Sequence, residues 1–384
     1  MQAVVSPARS QWPTRAPWRS TSASGKRMRV AVIAPPWYSL PPRGYGGIEL
    51  VVSLLVRGLR AGGDEVVVVG AESSEPGTIE LAPAAWGADL GQRFGPVREL
   101  TYLARVSAVL RRQRPFDIIH DHSGFAGLLA STLMGIAPVV HTVHGALGEP
   151  ERTFYRSLGG AVDLVAISTA QRASAPELPW LSTVHNAVDT DSLVTVPPGE
   201  KGGYLLCLSR VCQEKGQDVA IEVARRTGHR LVIAGKVEPT AAGGHFFQTA
   251  VAPFVDGSGV IYHCNVAGRE KSELLARASA LLAPIAWEEP FGLSVVEAMA
   301  SGTPAVSYAR GAAAELIDDG VTGFAVKPGD VEAMTAAVLA TADIDSRRCA
   351  DTARRRFNPN RMAEKYHRVY SEIAVSTVRT AVTA

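Results

Sequence analysis

Residues 28–69 read MRVAVIAPPWYSLPPRGYGGIELVVSLLVRGLRAGGDEVVVV. Arg29 to Ala34 is a short apolar, β-branched run stopped by Pro35-Pro36, the pattern of a strand buried on both faces and so of a parallel sheet. After a proline-rich loop, Ile48, Val51, Val52, Leu55 and Leu59 recur at helical spacing over Ile48–Arg60, and Gly62-Gly63 closes that helix. Glu65–Val69 supplies the next strand, which completes a β-α-β unit.

The same alternation runs outward from this unit. A helix is predicted at Arg98–Arg114, a strand at Asp117–His120, a helix at Gly124–Leu133, and strands at Pro138–Thr142 and Val162–Ile167. Pro197-Pro198-Gly199 and Gly202-Gly203 then mark a linker. Beyond it the pattern restarts with strands at Tyr204–Leu208, Arg230–Ala234, Val260–Tyr262, Ala280–Pro284 and Pro304–Ser307, and helices at Gly216–Arg226, Arg269–Arg277 and Leu293–Ala300. The expected architecture is α/β, with Rossmann-like domains at 28–195 and 204–357 facing across a cleft. A closing helix at 358–375 carries Met362, Tyr366, Val369, Tyr370 and Ile373 on one face and Arg361, Lys365 and Arg368 as a solvated face. In open α/β sheets ligands collect at the carboxyl ends of strands, so the loops there matter most.

Composition narrows the function. The 384 residues are 46% hydrophobic and 20% charged with a formal charge of +2, which excludes collagen-like, coiled-coil and wholly disordered chains and gives no reason to expect nucleic acid. Residues 1–27 carry Arg9, Arg15, Arg19, Lys26 and Arg27 and no acid. They read as a disordered basic tail or an early start codon, without the apolar core of a secretory signal. The remainder of the chain therefore stands at −3. Cys207, Cys212, Cys264 and Cys349 form no CxxC pair and no zinc spacing with histidine, so no metal and a reduced, cytoplasmic setting are expected. No stretch reads as a membrane span.

Three segments carry candidate chemistry. Gly44-Tyr45-Gly46-Gly47 opens the first helix, where backbone N–H groups favour an anion. It follows the first strand too late, and with Glu49 at the third glycine position, to be a dinucleotide fingerprint. Ser209-Arg210 and Lys215-Gly216 place two cations between a strand end and a helix start, as a diphosphate leaving group requires. Trp287-Glu288-Glu289-Pro290-Phe291-Gly292-Leu293 leads into a helix bearing Glu297. Carboxylates there accept from sugar hydroxyls, and the bare helix N–H groups donate to phosphate. The combination suits a nucleotide-sugar, although each element alone is also compatible with a cap, a turn or a solvated side chain.

The run EEPFGLSVVEAMASGTPAV, with Glu289 and Glu297 as an E-x7-E pair, and the downstream segment from Glu315 to Phe324 closely resemble the C-terminal signature of retaining glycosyltransferases of family 4. The resemblance extends through LSRVCQEKGQDVAI, AGKV, VHNAVD and APPW…YGGIELVV, covering roughly residues 28–372, and is most similar to the branch that includes a glycosyltransferase of avilamycin biosynthesis. It implies the GT-B fold, no bound metal or cofactor, and retaining transfer from a nucleotide-diphosphate sugar, with UDP- and GDP-sugars as the leading donors. It assigns Arg210 and Lys215 to the diphosphate, Glu289 to donor-sugar hydroxyls and Glu297 to the ribose. Phe291, Gly292 and Leu293 would offer backbone N–H groups, and Gly46 and Gly47 would approach from the other domain. His122 of HDHS matches an active-site histidine near the donor sugar; His144, Asn186 and Glu49 are candidates for the acceptor side of the cleft. Ser209 and Cys212 are small departures from the family pattern.

The same cleft could serve an epimerase or a non-catalytic nucleotide-sugar binder, which the joint presence of the site residues argues against. The acceptor is expected to be a glycan, a lipid-linked molecule or a metabolite. On the Arg98–Arg114 helix, Leu103, Val106 and Leu110 alternate with arginines; the stripe reads as core and the arginines as solvated, with peripheral contact with the inner face of a membrane as the alternative. Lys236-Val237 and Cys264-Asn265 are candidate base-selecting loops.

Overall fold

The computed structural model describes residues 27–90 and 93–383; the expectation for the basic tail falls almost wholly outside them. Seven parallel strands form the first sheet: β1 (Arg29–Ile33), β2 (Glu65–Ala71), β3 (Thr78–Ala82), β4 (Ile118–Asp121), β5 (Val139–Val143), β6 (Asp163–Ala166) and β7 (Trp180–Thr183). Their order is β3-β2-β1-β4-β5-β6-β7. The second sheet contains β8 (Tyr204–Leu208), β9 (Arg230–Ala234), β10 (Val260–His263), β11 (Ala280–Ala283), β12 (Ala305–Tyr308) and β13 (Gly323–Val326), in the order β10-β9-β8-β11-β12-β13. Both sheets are wound in the Rossmann manner, with helices covering both faces, as the α/β reading expects.

Strand order reverses between β1 and β4 in the first sheet and between β8 and β11 in the second. Helices leave opposite faces at such a point, so a crevice opens at the carboxyl ends of the strands. The segments that follow these four strands contain Pro35-Pro36, His122, Ser209-Arg210 and the loop to Gly292. Topology alone therefore brings the candidate segments to two facing crevices.

The strands not expected from sequence, β3, β7 and β13, lie at sheet edges. β3 and β13 are only partly buried, so their sequences lack the continuous apolar run that marks the central strands. The apolar stripe Leu103, Val106 and Leu110 belongs to helix Gly95–Leu110 and is core: all three are at most 3% exposed and pack on one face of the first sheet. The core reading of that stripe holds, and the alternative of a membrane-facing role for it does not.

After helix Ser346–Arg356 the chain returns to the first sheet. Helix Pro359–Thr383 buries Met362, Tyr366, Val369, Tyr370 and Ile373 against helix Gly47–Ala61 and the core below it, while Arg361 and Arg368 are exposed. The Tyr366 hydroxyl meets Thr142 Oγ1 at 2.8 Å. Tyr366→Ala should therefore destabilise the protein by about 3–5 kcal/mol, from lost burial and the cavity left behind, as read by denaturant titration.

Candidate active site

The two crevices form one cavity of about 680 Å³, within the range of small-molecule sites. It is lined by Gly46, Gly47, Glu49, His122, His144, Asn186, Arg210, Lys215, Glu289, Phe291, Gly292, Leu293 and Glu297. These candidates for the donor and acceptor sides thus share one cleft.

On the second-sheet side, the turn after β8 carries both cations. Gly216 joins this turn to helix Gln217–Thr227 at φ +68°, and an added Cβ would stand 2.3 Å from the Pro284 carbonyl oxygen. Only glycine lets the cation loop lie this close to the end of β11. Lys215 Nζ pairs with Glu289 Oε2, whose other partner is Trp287 Nε1 at 3.0 Å. The Lys215 ammonium also sits 5.1 Å from the centre of the Trp287 ring. Arg210 pairs with Glu238 Oε1. Each cation is held by a carboxylate, so a diphosphate would exchange these partners rather than meet free charges.

Glu289 reaches the cleft because its loop is braced from behind. Glu288 accepts from Gly311 N at 2.6 Å and from Arg310 at 3.0 Å, and Ala312 N donates to the Glu289 carbonyl at 2.9 Å. Helix Leu293–Ala300 begins at Gly292 with no side-chain cap, so its first N–H groups remain available to an acceptor. Glu297 is not the solvated helix residue that a bland reading would make it: it is 5% exposed and accepts from Lys271 Nζ at 2.6 Å. Lys271 and Glu238 were missed from sequence because each acts through a pairing between distant segments, whereas Trp287 lay in the quoted loop with no role given to it. Lys236 and Asn265 line the cavity, whereas Val237 and Cys264 do not.

The first-sheet side closes against this wall at Gly47, where an added Cβ would lie 3.1 Å from Leu293 Cδ1. Glu49, one turn into the helix, is 3% exposed. Burial raises its carboxyl to about 7 despite backbone hydrogen bonds that favour ionisation. A raised acid favours the native state below its unfolded pKa and loses that contribution as pH rises through the folded value. Glu49→Gln should therefore remove a decline in stability of up to about 3 kcal/mol between pH 4.5 and 7.5, read from unfolding midpoints across that interval.

Three histidine rings, His120, His122 and His144, stack in succession on the first-sheet side. His122 Nδ1 lies 2.9 Å from His144 Nε2, so one of the two nitrogens must carry the shared proton. His122 is 1% exposed and its Nε2 has no protein partner; the Asn186 Oδ1 is likewise unpartnered. Two buried polar atoms without partners in a cavity wall mark places where a ligand completes the hydrogen bonding. His120 supports His122 from below, with ring centres 4.0 Å apart, and is anchored to Tyr370 at 2.7 Å and Thr142 at 2.8 Å. His141 is fixed by Asp121 at 2.7 Å. Burial pushes the His120 and His122 pKa values well down, and lowers His144 to about 3. All three rings are neutral at physiological pH.

The walls are tied together by Glu315. Its carboxylate accepts from Thr169 N at 3.0 Å, Ala170 N at 3.1 Å and His185 Nε2 at 2.5 Å. Burial opposes ionisation, but these hydrogen bonds outweigh it and hold the group at about 2. Among the described residues, Cys212, Glu214 and Glu238 are near enough to share an ion, but Glu238 is already engaged by Arg210 and burial raises the Cys212 thiol to about 11.

Both halves match known families. The Glycosyltransferase Family 4 model matches residues 45–192, and the model for Glycosyl transferases group 1 matches residues 194–356. A phosphatidyl-myo-inositol mannosyltransferase of Mycobacterium leprae is 26% identical across 91% of this chain and 98% of its own length. A D-inositol 3-phosphate glycosyltransferase of an Arthrobacter species is 27% identical across 73% of this chain and 78% of its own. The crystal structure of AviGT4, a glycosyltransferase involved in avilamycin A biosynthesis, superposes with a TM-score of 0.68 at 25% identity, covering 91% of this chain and 98% of that one. The chain is a family 4 glycosyltransferase of the GT-B fold, with a group 1 domain as its C-terminal half.

Proposed function

We propose that the protein transfers a sugar from a nucleotide-diphosphate sugar, UDP- or GDP-linked, to an acceptor hydroxyl with retention of anomeric configuration and without a metal. The observation that carries this reading is the donor wall: Arg210 and Lys215 beside the uncapped N-terminus of helix Leu293–Ala300, flanked by Glu289 and Glu297. The cations and helix N–H groups take the diphosphate. Glu289 then turns from Lys215 to the sugar hydroxyls, and Glu297 receives the ribose.

His122 and Asn186 border the donor sugar from the opposite wall, with His144, Glu49 and the Gly46-Gly47 turn towards the acceptor. The carboxylates lining the cavity are Glu49, whose pKa burial raises to about 7, and the paired Glu289 and Glu297. This arrangement supports a route in which the acceptor hydroxyl enters on the face the diphosphate leaves. The departing phosphate oxygen takes the acceptor proton as the new glycosidic bond forms. The protein's share is to stabilise charge on the leaving group and to hold the reactants in line.

A proton NMR time course with a turned-over nucleotide-sugar tests this in one experiment. The first-formed glycoside should keep the donor's anomeric configuration, and the rate should be unchanged by EDTA. An inverted product, or activity abolished by the chelator, overturns the mechanism.

A further inference from the structure

We infer that the outer face of helices Gly95–Leu110 and Phe125–Met134 docks on an anionic lipid surface at the mouth of the cleft. Phe94, Val97 and Leu100 are each about 60% exposed, Phe125 and Leu129 more than 40%, and Leu133 is 74% exposed. They are half of the twelve large apolar side chains exposed among the described residues. The two helices are neighbours: Gly127 of one lies against Leu103 of the other. Leu103, Val106 and Leu110 are committed to the core, so Val97 and Leu100 face away from it on the same helix. Phe125, Leu129 and Leu133 recur every fourth residue and so share one helical face.

Charge selects the occupant. Residues 86–114 contain six arginines against two carboxylates, in a chain that is net acidic beyond its tail. Asp89 is paired with Arg98, and Glu99 is half-buried with its pKa raised by burial. Arg93, which lies over the Phe94 ring, and Arg111 and Arg112 are exposed. An apolar strip with a cationic rim matches the interface of an anionic bilayer. A second copy docked face to face would oppose two cationic rims. Leu90 and Phe125 also line the active-site cavity, so the docked face continues into the cleft. Among the described residues no helix is long and apolar enough to cross a membrane; the contact is peripheral. Delivery of a lipid-borne acceptor rests on the transfer reading above, but docking does not.

Sedimentation of the full chain with phosphatidylglycerol vesicles, phosphatidylcholine vesicles and no lipid tests the inference. Binding should require phosphatidylglycerol and weaken with salt. It should fall about tenfold or more in Leu100→Ser/Leu129→Ser and in Arg93→Glu/Arg112→Glu. Nucleoside diphosphate binding and melting temperature, measured on the same samples, should stay at the wild-type level, separating lost docking from a damaged donor site. Absence of binding to phosphatidylglycerol, or equal binding by both variants, overturns it. So does a concentration-dependent dimer that Leu100→Ser/Leu129→Ser abolishes, since the face would then belong to a second copy.

Discussion

Lys215→Ala should lower the sugar-transfer rate by about 10²–10³-fold, and Arg210→Ala by a similar factor, the cost of removing one preorganised donor from a developing anion. The structure gives Lys215 the larger claim. Its side chain is 12% exposed against 37% for Arg210, so its charge acts through less water. Losing Lys215 also leaves the partly buried Glu289 beside Trp287 without its cation. A second variant separates the two effects. If Lys215 acts only by neutralising Glu289, then Lys215→Ala/Glu289→Gln recovers most of the rate. If it stabilises the leaving diphosphate, the double variant is no faster than Lys215→Ala. Single-turnover rates at saturating donor report the chemical step. Near wild-type transfer by both Lys215→Ala and Arg210→Ala would remove the diphosphate assignment.

Acidification below pH 6.5 should destabilise the fold steeply. A histidine whose native pKa is depressed contributes stability that is complete above its unfolded pKa and is lost as pH falls towards the folded value. For His144, lowered to about 3, that loss reaches about 2 kcal/mol by pH 5, reduced by whatever relief its cleft-facing edge gains from water. His120 and His122 pull in the same direction from deeper sites, and the three rings repel one another once charged. Glu49 works oppositely over the same interval, so Glu49→Gln should steepen the acid loss and His144→Gln should shallow it. Guanidinium midpoints at pH 7.5 and 5.0 check both signs. A wild-type midpoint that does not fall at pH 5.0 would mean that the histidine stack is not held neutral by burial.

What sequence could show followed from how local each signal was. β1, β8 and helix Leu293–Ala300 were legible because both-face burial writes a continuous apolar run and Pro-x-Gly fixes a helix start. The edge strands β3 and β13 were not, since half-buried strands of four or five residues carry little pattern. The apolar positions of helix Gly95–Leu110 were visible in sequence, but which of them face the core depends on what the helix packs against. The stripe Leu103, Val106 and Leu110 is core, as its spacing suggests, whereas the exposed Val97 and Leu100 beside it carry no signal that marks them as surface. At the site, residues next to a motif could be found, whereas Lys271, Glu238 and the His120–Tyr370 contact join segments 26 to 250 residues apart. Periodicity does not encode such pairings.

The central claim is that the cleft is a nucleotide-sugar diphosphate site. A thermal-shift panel with UDP, GDP, ADP, dTDP and NAD, run on the wild type and on Lys215→Ala, tests it most directly. One or more nucleoside diphosphates should stabilise the wild type by about 2.7 kcal/mol at 100 times the dissociation constant, with the response largely lost in Lys215→Ala. Stabilisation by NAD alone, or by none of the five, would contradict the account.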